Sequence, residues 1–226
     1  MPICIITGAN SPLGIAIVRK LLKTHRLICV THPTSEISNL YVILRSGAPI
    51  ELQSCDLGSK VQINTLTTSL CNNLEKCDVL INNAFGWAPG GIQEISDDSI
   101  CDLVSSSVSG TLLLTKNLLP LLKRAEYSRI INICSTIGTG YRFSPNTLYV
   151  SMKGALNAFG KSLRNELLTT NILVTNLNLG RFEDGDPSNN ALTPVNDIAR
   201  MISFILSLSR KTSIDSVVIT PPTLNY

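Results

Sequence analysis

Residues 3–14 read I3-C-I-I-T-G-A-N-S-P-L-G14, and the reading of the fold starts here. Ile3–Ile6 is an uninterrupted apolar run of strand length, bounded by Thr7 and Gly8. Gly8 permits a sharp turn, and Gly14 allows the helix that follows to pack closely on the strand. A helix opening at this point presents its backbone N–H groups and its positive dipole end to a pyrophosphate. Two glycines in a turn say little alone. Their position between a strand and a helix makes a dinucleotide-binding turn of them.

Outward from this unit, the same rhythm runs along the chain. Strands are predicted at Ile3–Ile6, Leu27–Thr31, Ile50–Gln53, Val79–Asn82, Arg129–Cys134, Leu173–Asn176 and Val217–Thr220. Helical patterns fall at Leu13–Thr24, Ser35–Ser46, Lys60–Leu74, Asp97–Leu122, Leu148–Thr169 and Val195–Ser209. The strands are apolar along nearly their whole length, as expected when helices cover both faces of a parallel sheet. The alternation predicts an α/β fold: one Rossmann-type, doubly wound, mostly parallel seven-stranded sheet with helices on both faces, spanning residues 1–226 as a single domain. One segment breaks the rhythm. Residues 181–193, RFEDGDPSNNALT, are polar and aperiodic, follow a strand at its carboxyl end, and are expected to form a substrate lid.

The composition excludes several classes. A net charge of +3 over 226 residues, with no long basic run, does not suit a nucleic-acid or membrane-surface binder. The longest apolar stretch, TLLLTKNLLPLL, is interrupted by Lys116, Asn117 and Pro120 and is too short to span a bilayer. With the first strand starting next to the amino terminus, no signal peptide is expected, and the chain reads as soluble and cytoplasmic. Seven cysteines without a CxxC pair, beside only His25 and His32, give no metal-ligand cluster. Most sit in apolar runs and are expected to be buried structural thiols.

Two features carry chemistry. In Y149-V-S-M-K153 the tyrosine and lysine are four residues apart on a helix and share a face. A cation there stabilises phenolate, moving a tyrosine toward the working range of an acid/base catalyst. Ser135 follows the strand R129-I-I-N-I-C134, so its hydroxyl falls at the carboxyl end of a strand, where ligands bind in such sheets.

Together these residues resemble a short-chain dehydrogenase/reductase of the compact single-domain subtype. The likeness runs in order through T7-G-A-N-S-P-L-G14, D56-L57, N82-N-A84, I130-I-N-I-C-S135, Y149-V-S-M-K-G-A-L-N-A-F-G-K-S-L163 and N178-L-G180. It implies an NAD(P)(H)-dependent oxidoreductase that interconverts an alcohol and a carbonyl. Tyr149 would be the general acid/base, Lys153 would lower its pKa and bond the nicotinamide ribose, and Ser135 would orient the substrate oxygen. Thr7, Gly8, Asn10, Ser11, Leu13 and Gly14 would surround the adenosine and phosphates, Asp56 and Leu57 the adenine, Asn82 and Ala84 the adenine ribose side, and Leu179 and Gly180 the nicotinamide.

The departures are informative. Pro12 replaces the family's middle glycine and removes an N–H. Phe85 stands where the family's N-N-A-G has glycine, either crowding the nicotinamide ribose or turning outward. Ser107 stands where the family places the asparagine of a proton relay, with a shorter reach to water. N178-L-G180 replaces a usual Pro-Gly. At the end of the second strand, V30-T-H-P-T-S35 offers Thr31 and His32 but neither Asp nor Arg, which favours NADP(H) over NAD(H). Substrate contacts are expected from residues 85–91, 139–144 and 181–193, including Trp87. The resemblance further implies a homodimer or homotetramer built on the Asp97–Leu122 and Leu148–Thr169 helices. The same departures also suit a weakly active or inactive cofactor-binding sensor or scaffold, and epimerisation or dehydration on the same fold is a third possibility.

Overall fold

The computed structural model describes residues 1–140, 144–183 and 192–222. Its strands are β1 Ile3–Thr7, β2 Arg26–Thr31, β3 Ile50–Ser54, β4 Val79–Asn82, β5 Ser128–Ser135, β6 Ile172–Leu179 and β7 Ser216–Ile219. The helices between them are α1 Pro12–Leu21, α2 Ser38–Leu44, α3 Lys60–Asn73, α4 Asp97–Val104, α5 Gly110–Lys123, α6 Thr147–Glu166 and α7 Val195–Ser207. All strand pairs are parallel, in the order β3-β2-β1-β4-β5-β6-β7.

Period-2 alternation sorts the strand residues onto two cores. Cys4, Ile6, Leu27 and Cys29 face α1, α2 and α7, whereas Ile3, Ile5, Ile28 and Val30 face α3, α5 and α6. The order reverses between β1 and β4, whose carboxyl ends lie side by side, and such a switch point leaves a crevice. All seven cysteines are free, and burial pushes the Cys29 and Cys77 thiols up to about 12 and those of Cys55 and Cys134 to about 11.

The expected helix over Asp97–Leu122 runs without interruption but is not uniformly α. Between α4 and α5 lies a π-helical turn, Ser105–Ser109, which shifts the helical register beside the crevice. The run of three serines offers hydroxyls that back-bond, and Ser106 Oγ donates to the carbonyls of Asp102 and Leu103. Most of the expected lid, residues 184–191, lies outside the described residues. Its neck is tied by a bridge between Phe182 and Thr193, with Glu183 N–H donating to Thr193 O at 3.1 Å.

A ladder of buried asparagine amides crosses the sheet. Asn82, Asn132 and Asn176 are register partners on β4, β5 and β6. Asn82 Nδ2 donates to Asn132 Oδ1 (2.9 Å), Asn132 Nδ2 to Asn176 Oδ1 (3.0 Å), and Asn176 Nδ2 to Asn157 Oδ1 on α6 (3.0 Å). Gly160 makes room for it, since a Cβ there would overlap Asn176 Oδ1 and lie 2.7 Å from Asn132 Nδ2. Alanine favours helix by about 1 kcal/mol over glycine, but overpacking costs about 1–3 kcal/mol and an orphaned buried amide about 1–3 kcal/mol. Gly160→Ala is therefore expected to destabilise the chain by roughly 2–4 kcal/mol in urea unfolding. A neutral or stabilised variant would show that the ladder has slack.

Candidate active site

The amino end of α1 forms one wall of the crevice. Gly8 has φ +61°, and a Cβ there would lie 2.8 Å from Ala84 Cα, so only glycine lets the turn after β1 approach the segment after β4. Ser11 caps the helix: its hydroxyl accepts from Gly14 N–H (3.0 Å) and donates to Gly8 O (2.9 Å). Pro12, at the first helical position, has no N–H to offer. Ile15 N–H bonds Ser11 O, so among the described residues Leu13 N–H is the first-turn donor without an internal acceptor. The predicted glycine-rich turn is thus formed with one open donor. Leu13 and Gly14 themselves point into the protein, and a Cβ on Gly14 would overlap the Gly8 carbonyl.

A cavity of about 350 Å³ opens here, lined by Thr7, Gly8, Asn10, Ser11, Thr31, His32, Asp56, Leu57, Ala84 and Ser107 among the predicted residues. Asn82 lies elsewhere, buried and bonded to Thr115 Oγ1 and Asn132 Oδ1. Its neighbour Asn83 faces the turn instead, donating from Nδ2 to Thr7 O, Gly8 O and Ser11 Oγ at 2.9–3.2 Å. Thr7 Oγ1 accepts from both Asn83 N–H and Ala84 N–H at 3.0 Å. Strand alternation carried the signal for this swap, because successive residues point to opposite faces. At the far end of the cavity, His32 Nε2 lies 3.7 Å from Asp56 Oδ1, and His32 Nδ1 bonds Thr34 Oγ1 (2.9 Å).

On α6, Asn146 caps the helix by accepting from Tyr149 N–H (2.9 Å), which sets where the Tyr149–Lys153 face begins. Lys153 is 5% exposed; its Nζ donates to Ile133 O on β5 (3.1 Å) and lies 5.8 Å from the Tyr149 ring centroid. Burial pushes the Lys153 ammonium down to about 8. Ser135, two residues beyond Ile133, donates to Leu179 O (3.2 Å) and accepts from Ile137 N–H (3.3 Å). Leu179 is buried, and Gly180 N–H bonds Ile219 O (2.7 Å), which leaves both off the cavity wall.

Two departures resolve clearly. Phe85 turns inward: Lys153 Nζ lies 3.6 Å from its ring centroid, and Tyr149 meets it edge to face at 5.4 Å. Ser107 is buried, and its hydroxyl accepts from Gly86 N–H (2.9 Å), so it holds the segment that carries Phe85. Trp87 is 62% exposed and forms no wall of the cavity. Tyr141–Phe143 lie outside the described residues. Among the described residues, no three His, Cys, Asp or Glu come together as a metal site, and no helix is long and apolar enough to cross a membrane.

A parallel sheet with a helix-capped glycine turn at its switch point places the chain in the class of doubly wound α/β proteins, whose ligands bind at that crevice. Within that class, a family model described as short chain dehydrogenase matches residues 2–191, and the chain belongs to this family of oxidoreductases. It is 24% identical over 227 residues to an uncharacterized oxidoreductase of Staphylococcus epidermidis, covering 97% of this chain and 96% of that one. It is 28% identical over 244 residues to an NADP-dependent 3-hydroxy acid dehydrogenase of Schizosaccharomyces pombe, covering 96% and 91%. An alcohol dehydrogenase from the archaeon Thermococcus sibiricus, solved with 5-hydroxy-NADP, superposes with a TM-score of 0.88 over all of both chains at 18% identity.

The lowered Lys153 pKa has a thermodynamic consequence. Between pH 8 and about 10.4 the unfolded chain holds a proton that the folded one has lost, so this group makes stability rise with pH. Across that window, wild type should gain on the order of 3 kcal/mol relative to Lys153→Met in urea unfolding. The buried thiols of Cys4, Cys29, Cys55 and Cys77 are common to both proteins and drop out of the difference, whereas Cys134, which interacts with Lys153, contributes with it. Parallel pH profiles would mean that Lys153 is not desolvated.

Proposed function

We propose that this chain is an NAD(P)(H)-dependent oxidoreductase that interconverts an alcohol and a carbonyl, with Tyr149 as general acid/base. The observation that carries the reading is the seating of Lys153: a buried ammonium bonded to β5, one helical turn from Tyr149 and two residues short of Ser135 along the strand. The residues fit a dinucleotide, since the cavity at the switch point is lined by Gly8, Asn10 and Ser11 of the turn and the Leu13 N–H has no internal acceptor among the described residues.

Asn10, Ser11 and the Leu13 N–H would hold the phosphates, Leu57 and Ala84 the adenosine, and Lys153 the nicotinamide ribose. When bound, the nicotinamide supplies or accepts the hydride. Tyr149 gives its phenolic proton to the carbonyl oxygen in reduction and takes it back in oxidation. Lys153 stabilises the phenolate that this leaves. Ser135 Oγ, at the carboxyl end of β5, would exchange its bond to Leu179 O for one to the substrate oxygen and so orient it. Ser107 keeps Gly86 in place rather than relaying a proton.

NADP(H) is the preferred cofactor in this reading, because Thr31 and His32 stand at the end of β2 where a carboxylate would select the 2′-hydroxyl of NAD(H), and the Asp56 carboxylate that also lines this end lies 3.7 Å from His32 Nε2. Self-association through α4, α5 and α6 accompanies it, to be read by light scattering at micromolar concentration.

Tyr149→Phe should lower kcat roughly 10²–10⁴-fold against a carbonyl panel while leaving the cofactor Kd unchanged. Turnover at the wild-type rate would remove Tyr149 from its role. His32→Asp should move the ratio of kcat/KM for the two cofactors toward NAD(H) by about tenfold or more. An unchanged ratio would place the specificity elsewhere.

A further inference from the structure

We propose that Phe85 is a partition that separates an adenosine-phosphate pocket from the Tyr149–Lys153 corner, and that a complete dinucleotide binds only as the ring leaves Lys153. The proposal rests on the cofactor reading above.

The cavity walls carry the first observation. They run from Thr31 and His32 past Gly8 to Phe85, Gly86 and Ser107, and stop there. Ser135, Tyr149 and Lys153 are not among them. The ring that ends the cavity is the same ring that covers the ammonium, 3.6 Å from centroid to Nζ, with the Tyr149 ring edge-on at 87°.

The second observation is how the ring is held. Its backbone is anchored on both sides, by Ala84 N–H to Thr7 Oγ1 (3.0 Å) and by Gly86 N–H to Ser107 Oγ (2.9 Å). A Cβ at Gly86 would overlap Leu103 Cδ2, so that part of the segment is packed tight. The side chain, by contrast, is half-buried in a small satellite cluster with Ile95, Leu148 and Met152. Rotation about its side-chain bonds moves the ring while the backbone stays.

The chemistry supplies the coupling. A buried ammonium needs compensation, and the negative face of an aromatic ring provides part of it. A ligand that ends at the phosphates never meets the ring. A ligand that carries a further ribose must replace the π face at Lys153 with hydroxyl oxygens that accept from the ammonium. Half of the cofactor thus binds without cost from Phe85, and the rest binds against it.

The test pairs each dinucleotide with its own half: NADPH with adenosine 2′,5′-bisphosphate, and NADH with ADP. Dissociation constants are measured by calorimetry on wild type, Phe85→Ala and Phe85→Leu, each checked for a cooperative thermal transition. Phe85→Ala should bind the dinucleotide about tenfold tighter, which is about 1.4 kcal/mol, and the half-molecule within about twofold of wild type. Phe85→Leu keeps bulk but loses the π face, and should fall between the two. In stopped-flow mixing, the binding rate of wild type should level off with dinucleotide concentration, and that of Phe85→Ala should keep rising. Equal changes for whole and half, or weaker dinucleotide binding in both variants, would overturn the partition and leave the oxidoreductase reading in place. Failure of wild type and variants alike to bind any of the four molecules would overturn both.

Discussion

Everything at the candidate site depends on one helix being pinned to the sheet at a fixed height. Two buried attachments do this. The Asn82–Asn132–Asn176 ladder ends on Asn157 of α6, and Lys153, one turn earlier, reaches Ile133 O on β5. Each amide of the ladder donates in the same direction, so each bond polarises the next. A buried amide ladder in a low-dielectric interior, bonded throughout except at Asn82 Oδ1, admits little sliding, because a shift of one residue would orphan several more amides at once. Hydrophobic packing alone, through Leu156 and Leu163, would tolerate more.

The pinning has an electrostatic cost that the site turns to use. Lys153 is held where water does not reach, and its ammonium is correspondingly easier to deprotonate. A lysine poised near 8 responds to whatever occupies the space before it. In this structure the occupant is Phe85, and the ring offsets part of the desolvation. Ser107 stands behind the arrangement: its hydroxyl on Gly86 N–H sets the backbone from which Phe85 projects. The two departures from the family pattern therefore belong together. The π turn that carries Ser107 brings its hydroxyl to that backbone.

The opposite wall obeys a different constraint, close backbone approach. Thr7, Gly8 and Asn83 knit the ends of β1 and β4 together, so the crevice at the switch point has a rigid floor. The Ser11 cap and Pro12 use up or remove most first-turn donors and leave the Leu13 N–H without an internal acceptor among the described residues. The cradle is narrower in donors than the motif by itself suggests. The family resemblance and the sheet architecture hold regardless, because they rest on strand spacing and packing rather than on donor count.

Local chemistry alone was enough to place most of the architecture. Uninterrupted apolar runs mark strands covered on both faces, and all seven lie within a few residues of their predicted positions. Gly8, Tyr149 and Lys153 were legible for the same reason: a turn needing φ > 0 and a pair four apart on a helix are properties of short segments. What lay beyond reach depends on contacts between distant segments. Asn132, Asn157 and Asn176 look like scattered polar residues until strand register lines them up. Asn83 rather than Asn82 turns to the crevice because the pleat assigns alternate residues to opposite faces, and the phase of that alternation is set by the neighbouring strands. The π turn at Ser105–Ser109 and the inward turn of Phe85 were likewise decided in three dimensions. Periodicity shows which faces a segment has; only packing shows what each face meets.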